Sequence, residues 1–186
     1  MSETKTTAET NAPSNTRLIE GLHSPDAYFG IDFDHVEMRE THISWVFLVG
    51  DYAFKIKKPI RTDFLDYSTL EKRKFYCDEE LRLDQRFASE LFLEVVPIVG
   101  DAFQEDHDAV AEYAVKMRRF PDDALLSTRI ESGTLSTDEV FALAKRVAEF
   151  HQSAARLGAR PADEPLGSID LIYKNAEDNF IHVRKI

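Results

Sequence analysis

The 186-residue chain contains one cysteine, Cys77, which excludes an internal disulfide and a cysteine-rich zinc site and suits a reducing compartment. No uninterrupted apolar run approaches the roughly 20 residues that a membrane span needs, and the start lacks the charged-then-apolar profile of a signal peptide. A cytoplasmic location, with no membrane partner, is therefore expected. Basic charge is scarce as well: 23 Lys and Arg stand against 34 Asp and Glu, a formal net charge of -11. That balance argues against nucleic acid or an anionic lipid surface as the partner. Internal repeats are absent. Residues 1–15 carry almost no bulky apolar side chains, cannot offset their own ordering entropy, and are expected to form a disordered tail.

What is present suits a folded core. Hydrophobic residues make up 43% of the chain and include 13 Phe, enough for one medium domain or one and a half small ones. Residues 16–22 read as a short capped helix. Residues 36–38 and 43–49 are β-like, Gly50-Asp51 supplies turn chemistry, and 52–57 return as the paired strand. Ser68-Thr69-Leu70-Glu71 has the form of a capping box opening a long amphipathic helix to residue 87, with Leu70, Phe75, Cys77, Leu81, Leu83 and Phe87 as its apolar positions. Residues 91–99 predict a strand, 100–108 an acidic loop, and 111–117 a fifth strand. Helical spacing then marks 137–157 and 169–186. The pattern predicts an α+β fold, a small five-stranded antiparallel sheet with one long helix, followed by a helical bundle.

The most informative strand is Tyr52-Ala53-Phe54-Lys55-Ile56-Lys57. Alternation puts Ala53, Lys55 and Lys57 on one face and Tyr52, Phe54 and Ile56 on the other. An ammonium group on a covered face costs desolvation unless it finds water or an anion. In the protein-kinase pattern Val-Ala-Ile-Lys the alanine leaves room for adenine and the lysine reaches the nucleotide phosphates, and Tyr52-Ala53-Phe54-Lys55 has that shape. The competing reading is an edge strand whose lysines discourage aggregation. In the kinase arrangement a glutamate on the following helix holds the lysine. Among Glu71, Glu79 and Glu80, Glu80 is favoured because it shares a stripe with Leu83 and Phe87, with Glu79 next.

Several separated segments in the same order resemble the aminoglycoside phosphotransferase-like family, in particular a bacterial branch often fused to a P-loop kinase domain. They are Glu40-Thr41-His42-Ile43-Ser44-Trp45 through Lys57-Lys58-Pro59, Phe64-Leu65-Asp66-Tyr67-Ser68, Glu79-Glu80-Leu81-Arg82-Leu83, Tyr113-Ala114-Val115-Lys116-Met117-Arg118, and Leu143-Ala144-Lys145-Arg146-Val147. The likeness covers residues 16–186. It implies a kinase-like nucleotide-binding lobe over 16–120 and the first helices of a substrate lobe over 121–186. Carried over by position, it implies that Lys55 contacts the phosphates of ATP, Glu80 orients Lys55, and Ala53 borders adenine. It further implies that Thr41 to Ser44 cover the phosphates. That turn has no glycine, so the hydroxyls of Thr41 and Ser44 are expected to substitute for backbone N–H groups. Residues 115–118 would be the hinge whose backbone meets adenine, beside Met117.

The family's His-Gly-Asp catalytic segment and its later magnesium aspartate do not occur in these 186 residues. No catalytic or metal-binding residue is therefore assigned, although magnesium accompanies ATP in the family. The resemblance implies the N-terminal portion of an ATP-dependent phosphotransferase acting on a hydroxylated small molecule, inactive alone. A non-catalytic nucleotide-binding or protein-interaction module is the alternative. Asp170 and Asp178 read as solvated helix residues, and His107 between two aspartates as a solvated loop residue. His42 reads as a loop residue, His151 as a helix-end histidine, and Cys77 as a packed thiol.

Overall fold

Register and alternation together assign each strand of this protein to a place in one sheet. The computed structural model describes residues 12–62, 64–100, 102–103, 110–154 and 168–183. The chain divides into two compact units, Met1–Leu135 and Ser136–Ile186.

The first unit opens with helix α1, Ala12–Gly21, and a short 3-10 turn, Pro25–Ala27. The helix begins ahead of residue 16, so the expected tail contributes its last four residues to a helical turn. Pro13 suits that position, since the first turn of a helix has no use for its missing N–H. The rest of the expected tail lies outside the described residues. Strands β1, Val36–Glu40, β2, Ser44–Val49, and β3, Tyr52–Lys57, follow as two successive hairpins. Helix α2, Leu70–Ala88, precedes β4, Phe92–Val99, β5, Ala102–Phe103, and β6, Val110–Arg118. All five expected strands are present. The two-residue β5 extends the sheet within the expected acidic loop, most of which lies outside the described residues.

The sheet order is β1-β2-β3-β6-β4-β5, and every pairing is antiparallel. β3 is thus an interior strand, flanked by β2 and β6. This removes the edge-strand explanation for its lysines. Residues opposite one another share a face, which separates the sheet cleanly. Phe47, Val49, Phe54, Ile56, Ile98 and Ala114 pack with Leu18, Leu22, Ala27 and Tyr28 in a buried core on the α1 side. The Tyr28 hydroxyl donates to the Leu22 carbonyl at 2.7 Å within that core.

Helix α2 packs against β4 and β6. Its N-cap is Thr69, whose hydroxyl accepts the Lys72 N–H. The expected capping box is therefore displaced by one residue and incomplete, because Lys72 occupies the position where a glutamate would close it. Ser68 instead donates through its N–H and Oγ to Asp66. After β6 come a 3-10 turn, Asp122–Ala124, and helix α3, Leu126–Glu131. Arg39 on β1 makes a two-pronged contact with Asp122 at 2.8 and 2.7 Å. That contact holds the start of the connection to the sheet, and the first compact unit runs on to Leu135.

In the second unit, α4 spans Thr137–Ser153 and α5 Ile169–Val183. Ser136 and Glu139 form a complete capping box at the start of α4. Neither α3 nor α4 has a buried residue, and Phe141 and Tyr173 are 71% and 74% exposed. Among the described residues no helix is long and apolar enough to cross a membrane.

Gly50, in the β2–β3 turn, has φ +53, and a Cβ there would lie 2.7 Å from the Asp32 carbonyl oxygen. Relief requires moving backbone rather than a flexible side chain. Gly50→Ala is expected to lower the unfolding free energy by about 1–3 kcal/mol in chemical denaturation. An unchanged denaturation midpoint would show that the turn is free to relax.

Candidate functional site

On the sheet face opposite α1, the register lays out rows that cross the strands. Ala53 is flanked by Leu48 and Met117 in one row, with Glu37 at its β1 end. The next row holds Arg39, Val46, Lys55 and Val115, and the one after it pairs Ser44 with Lys57. Rows are separated by roughly 7 Å, two residues along a strand. A small apolar floor therefore lies directly beside a line of ammonium groups. Ala53 and Leu48 are buried, while Met117 is half-buried.

Glu80 of α2 meets both lysines. The Lys55 ammonium donates to Glu80 Oε1 at 2.8 Å, and the Lys57 ammonium to Glu80 Oε2 at 2.5 Å. The pair expected between Lys55 and Glu80 is formed, and Lys57 joins it. The side chains are 31% exposed for Lys55, 4% for Lys57 and 16% for Glu80. Lys57 also lies over the Tyr67 ring, 5.1 Å from its centroid. The third lysine, Lys58, pairs with Glu40 and lies over Trp45 on the other side of the strand.

Of the two stripe partners expected for Glu80, Phe87 is half-buried and Leu83 is not. Leu83, its supposed stripe partner, is 45% exposed, as is Phe75 at 57%. The covered stripe of α2 runs instead through Arg73, Cys77, Glu80 and Asp84, at helical spacing. Arg73 and Cys77 are buried, and Glu80 and Asp84 half-buried. Burial works to raise the Glu80 pKa, but the hydrogen bonds and charges of Lys55 and Lys57 outweigh it and leave the carboxyl below its ordinary value. Burial likewise works to lower the Lys57 pKa, and the hydrogen bond and charge of Glu80 reverse it, so the ammonium lies above its ordinary value. Asp84 is pushed up, first by burial and then by the charge of Glu80. Burial pushes the Cys77 thiol up to about 12, which makes it a packing group rather than a nucleophile.

A second buried pair anchors the start of the helix. Arg73 Nε donates to Glu112 Oε2 at 2.7 Å, and Arg73 Nη1 to the Tyr67 carbonyl at 2.9 Å. Both residues of the pair are nearly inaccessible. Neither residue has a motif to mark it. The one available signal is a glutamate, Glu112, inside an apolar strand.

Other expected positions fare differently. Thr41 is committed to its own turn: its hydroxyl donates to the Ser44 carbonyl at 3.1 Å and accepts from the Ser44 N–H at 3.0 Å. Ser44 is 1% exposed, and its hydroxyl has no hydrogen-bond partner among the described residues. Residues 115–118 are not a free hinge. They form the end of β6, paired with β3 on one side and with β4 across Glu94↔Lys116 and Phe92↔Met117 on the other. The pairing with β4 is irregular between Phe92 and Glu94, the Arg118 N–H donates to the Leu91 carbonyl, and the Arg119 N–H donates to the Asp51 carbonyl. Glu79 turns outward and pairs with Arg82. His42, His151, Asp170 and Asp178 are exposed, and His107 lies outside the described residues. A recess of about 360 Å³ beside the β2–β3 turn shares no residue with the lysine cluster. Asp32, Asp34 and Asp51 line it against a single Arg119, a balance that disfavours a phosphate. Among the described residues no group of three or more His, Cys, Asp and Glu is placed to hold a metal.

Comparison with known proteins adds length and no chemistry. Uncharacterized proteins of Mycobacterium tuberculosis and Mycobacterium bovis are each 36% identical to this chain over 159 residues. The match covers 86% of this chain and 30% of each relative, so the chain spans under a third of the length of the curated relatives it matches. No family model and no solved structure matches the chain.

The lowered Glu80 pKa sets a pH dependence. A carboxyl with a depressed folded-state pKa contributes stability above its unfolded value, and that stability is lost as pH falls through the folded one. Glu80→Gln is therefore expected to cost about 3 kcal/mol near pH 7. The gap from wild type should close below the ordinary glutamate range, where Glu80 is itself neutral. Paired denaturation curves across that range check this, and a gap independent of pH would show that the carboxylate charge is not what matters.

Proposed function

We propose that this chain is the nucleotide-binding portion of an ATP-dependent small-molecule phosphotransferase of the aminoglycoside phosphotransferase-like kind, acting in the cytoplasm on a hydroxylated acceptor. The observation that carries the reading is the Lys55–Glu80 pair on an interior strand, beside the Leu48, Ala53 and Met117 floor. An apolar strip next to a positive line fits a molecule with a flat base at one end and phosphates at the other. Counting only the six-stranded sheet's longer members, the order is first, second, third, fifth, fourth, with the glutamate helix between third and fourth. This is the order of elements that the kinase-like reading requires.

The roles follow from position. Lys55, the more exposed of the two lysines, takes the phosphates. Ala53 and Leu48 leave the base room to lie flat, and Met117 borders it with a soft side chain. Magnesium brought in with the nucleotide would neutralise charge on the phosphates, and no residue of this chain is assigned to hold it. The acceptor and the groups that would deprotonate it belong to parts of the reaction for which these residues supply no candidate.

A second reading, a non-catalytic binding or interaction module, draws on the exposed apolar residues of the later helices, among them Phe141 and Tyr173. The two readings separate in calorimetry with ATP and magnesium. The 186-residue chain is expected to bind ATP, to lose at least about tenfold in affinity on Lys55→Ala, and to show no ATP consumption with varied hydroxylated acceptors. ATP affinity indifferent to Lys55→Ala would remove the residue on which the nucleotide reading stands and leave the interaction module ahead.

A further inference from the structure

The segment that leaves β6 stays with the sheet and is tied to its far edge. β1 lies three strand spacings from β6, about 14 Å, yet residues 119–122 reach it twice. The Arg119 N–H donates to the Asp51 carbonyl in the β2–β3 turn, and Arg119 Nη2 donates to Glu37 Oε2 at 3.2 Å. Glu37 Oε1 accepts from Arg39 Nε at 2.8 Å, and both Nη groups of Arg39 hold Asp122. Four alternating charges thus form a chain that begins and ends on the segment, with its two middle members on β1. Those members decide which side of the sheet the segment takes. Glu37 stands at the β1 end of the row that holds Leu48 and Ala53, and Arg39 at the end of the Lys55 row beside it, both on the face opposite α1. The segment therefore crosses on that face, past the ends of β3 and β2. On the same face Ala53 and Leu48 are only 6% and 7% exposed, so a ligand can touch them only if their cover shifts.

We propose that Arg39 and Asp122 form a latch that holds residues 119–122 closed across the apolar row, and that this latch opens to admit a nucleotide base. The proposal rests on the nucleotide reading and adds a gate to it. The exposure of the charges suits a contact that parts. All four side chains of the chain of charges are between 33% and 65% exposed, where water and salt screen an ion pair and leave it worth little. The pairs beneath α2 are of the other kind: Arg73 and Glu112 are 9% and 4% exposed, and Lys57 and Glu80 are 4% and 16%. Parting those would strand buried charge. Among the described residues a single backbone hydrogen bond, from the Arg119 N–H to Asp51, ties residues 119–122 to the strands. Opening therefore breaks one backbone bond and two exposed side-chain contacts. Lys55 keeps Glu80 whether the latch is open or closed, so the movement changes access to the apolar row and leaves the ion pair in place.

Two measurements on the full chain test this: amide hydrogen exchange by NMR without nucleotide, and calorimetry with ATP and magnesium. Both are made on wild type, Asp122→Ala and Asp122→Glu. Asp122 is 65% exposed, so its replacement leaves the core untouched. Asp122→Ala is expected to speed exchange of the Arg119 amide and to raise ATP affinity, each by about three- to fivefold. An exposed pair shifts an opening equilibrium by that order, and apparent affinity follows the open fraction. Asp122→Glu keeps the charge and should stay within about twofold of wild type in both measurements. Faster exchange with unchanged ATP affinity overturns the gate and leaves the nucleotide reading intact. Lower ATP affinity in Asp122→Ala does the same, because Asp122 would then be a ligand contact. Exchange at Arg119 that ignores Asp122→Ala also overturns the latch. ATP binding absent from wild type but present in Asp122→Ala supports both the gate and the nucleotide reading. Absence from both proteins removes the nucleotide reading and the gate with it.

Discussion

Helix α2 meets the sheet through a stripe that is largely charged, and this constraint governs the first unit. An apolar stripe can slide or rotate slightly at small cost. A stripe of Arg73, Cys77, Glu80 and Asp84 cannot, because each buried charge must meet its partner or lose several kcal/mol, on the order of 3–5 when one member of a pair is removed. Arg73 finds Glu112, and Glu80 finds Lys55 and Lys57. Seven residues separate the two anchors, about 10 Å along the helix. The two contacts fix both its height and its rotation on β6 and β3. Pairs of this kind add little net stability compared with apolar packing; what they supply is a single allowed register.

That register produces the candidate site. Because Glu80 is locked over β3, Lys55 is held where β3 borders the Leu48, Ala53 and Met117 floor, and the lysine line and the apolar row stay a fixed distance apart. The α1 side of the same sheet does conventional work, an apolar core around Phe47, Phe54 and Ile56. One face carries the apolar core and the other the lysine cluster, and strict alternation along β3 is what allows one strand to serve both.

The alternation of Tyr52 to Lys57 made the lysine face legible, because a period of two leaves no choice about which residues share a side. The long helix was legible as an element, but its buried stripe was not. Leu83 and Phe75 look like core residues by hydropathy and lie exposed, since the true stripe is selected by ionic partners on other strands. Of the two neighbours that pointed to Glu80, Phe87 is half-buried and Leu83 exposed. Glu112 and Arg73 give no local signal, being 39 residues apart and meaningful only as a pair. The supposed hinge at residues 115–118 reads as a strand end in its own alternation, and only the pairing of β6 with both β3 and β4 reveals that it is flanked by strands on both sides. Strand order itself is nonlocal, so the interior position of β3 had to come from the fold.

The double anchoring of α2 bears on control. A helix held to a sheet by one ion pair can swing outward by breaking that pair alone. Here an outward swing must break Glu80 from two lysines while Arg73 tears from Glu112 at the other end of the stripe. The connection into the helix adds further ties, with Lys72 and Ser68 both on Asp66. Such a helix behaves as a rivet rather than a lever: it stays seated on the sheet for as long as the first unit is folded.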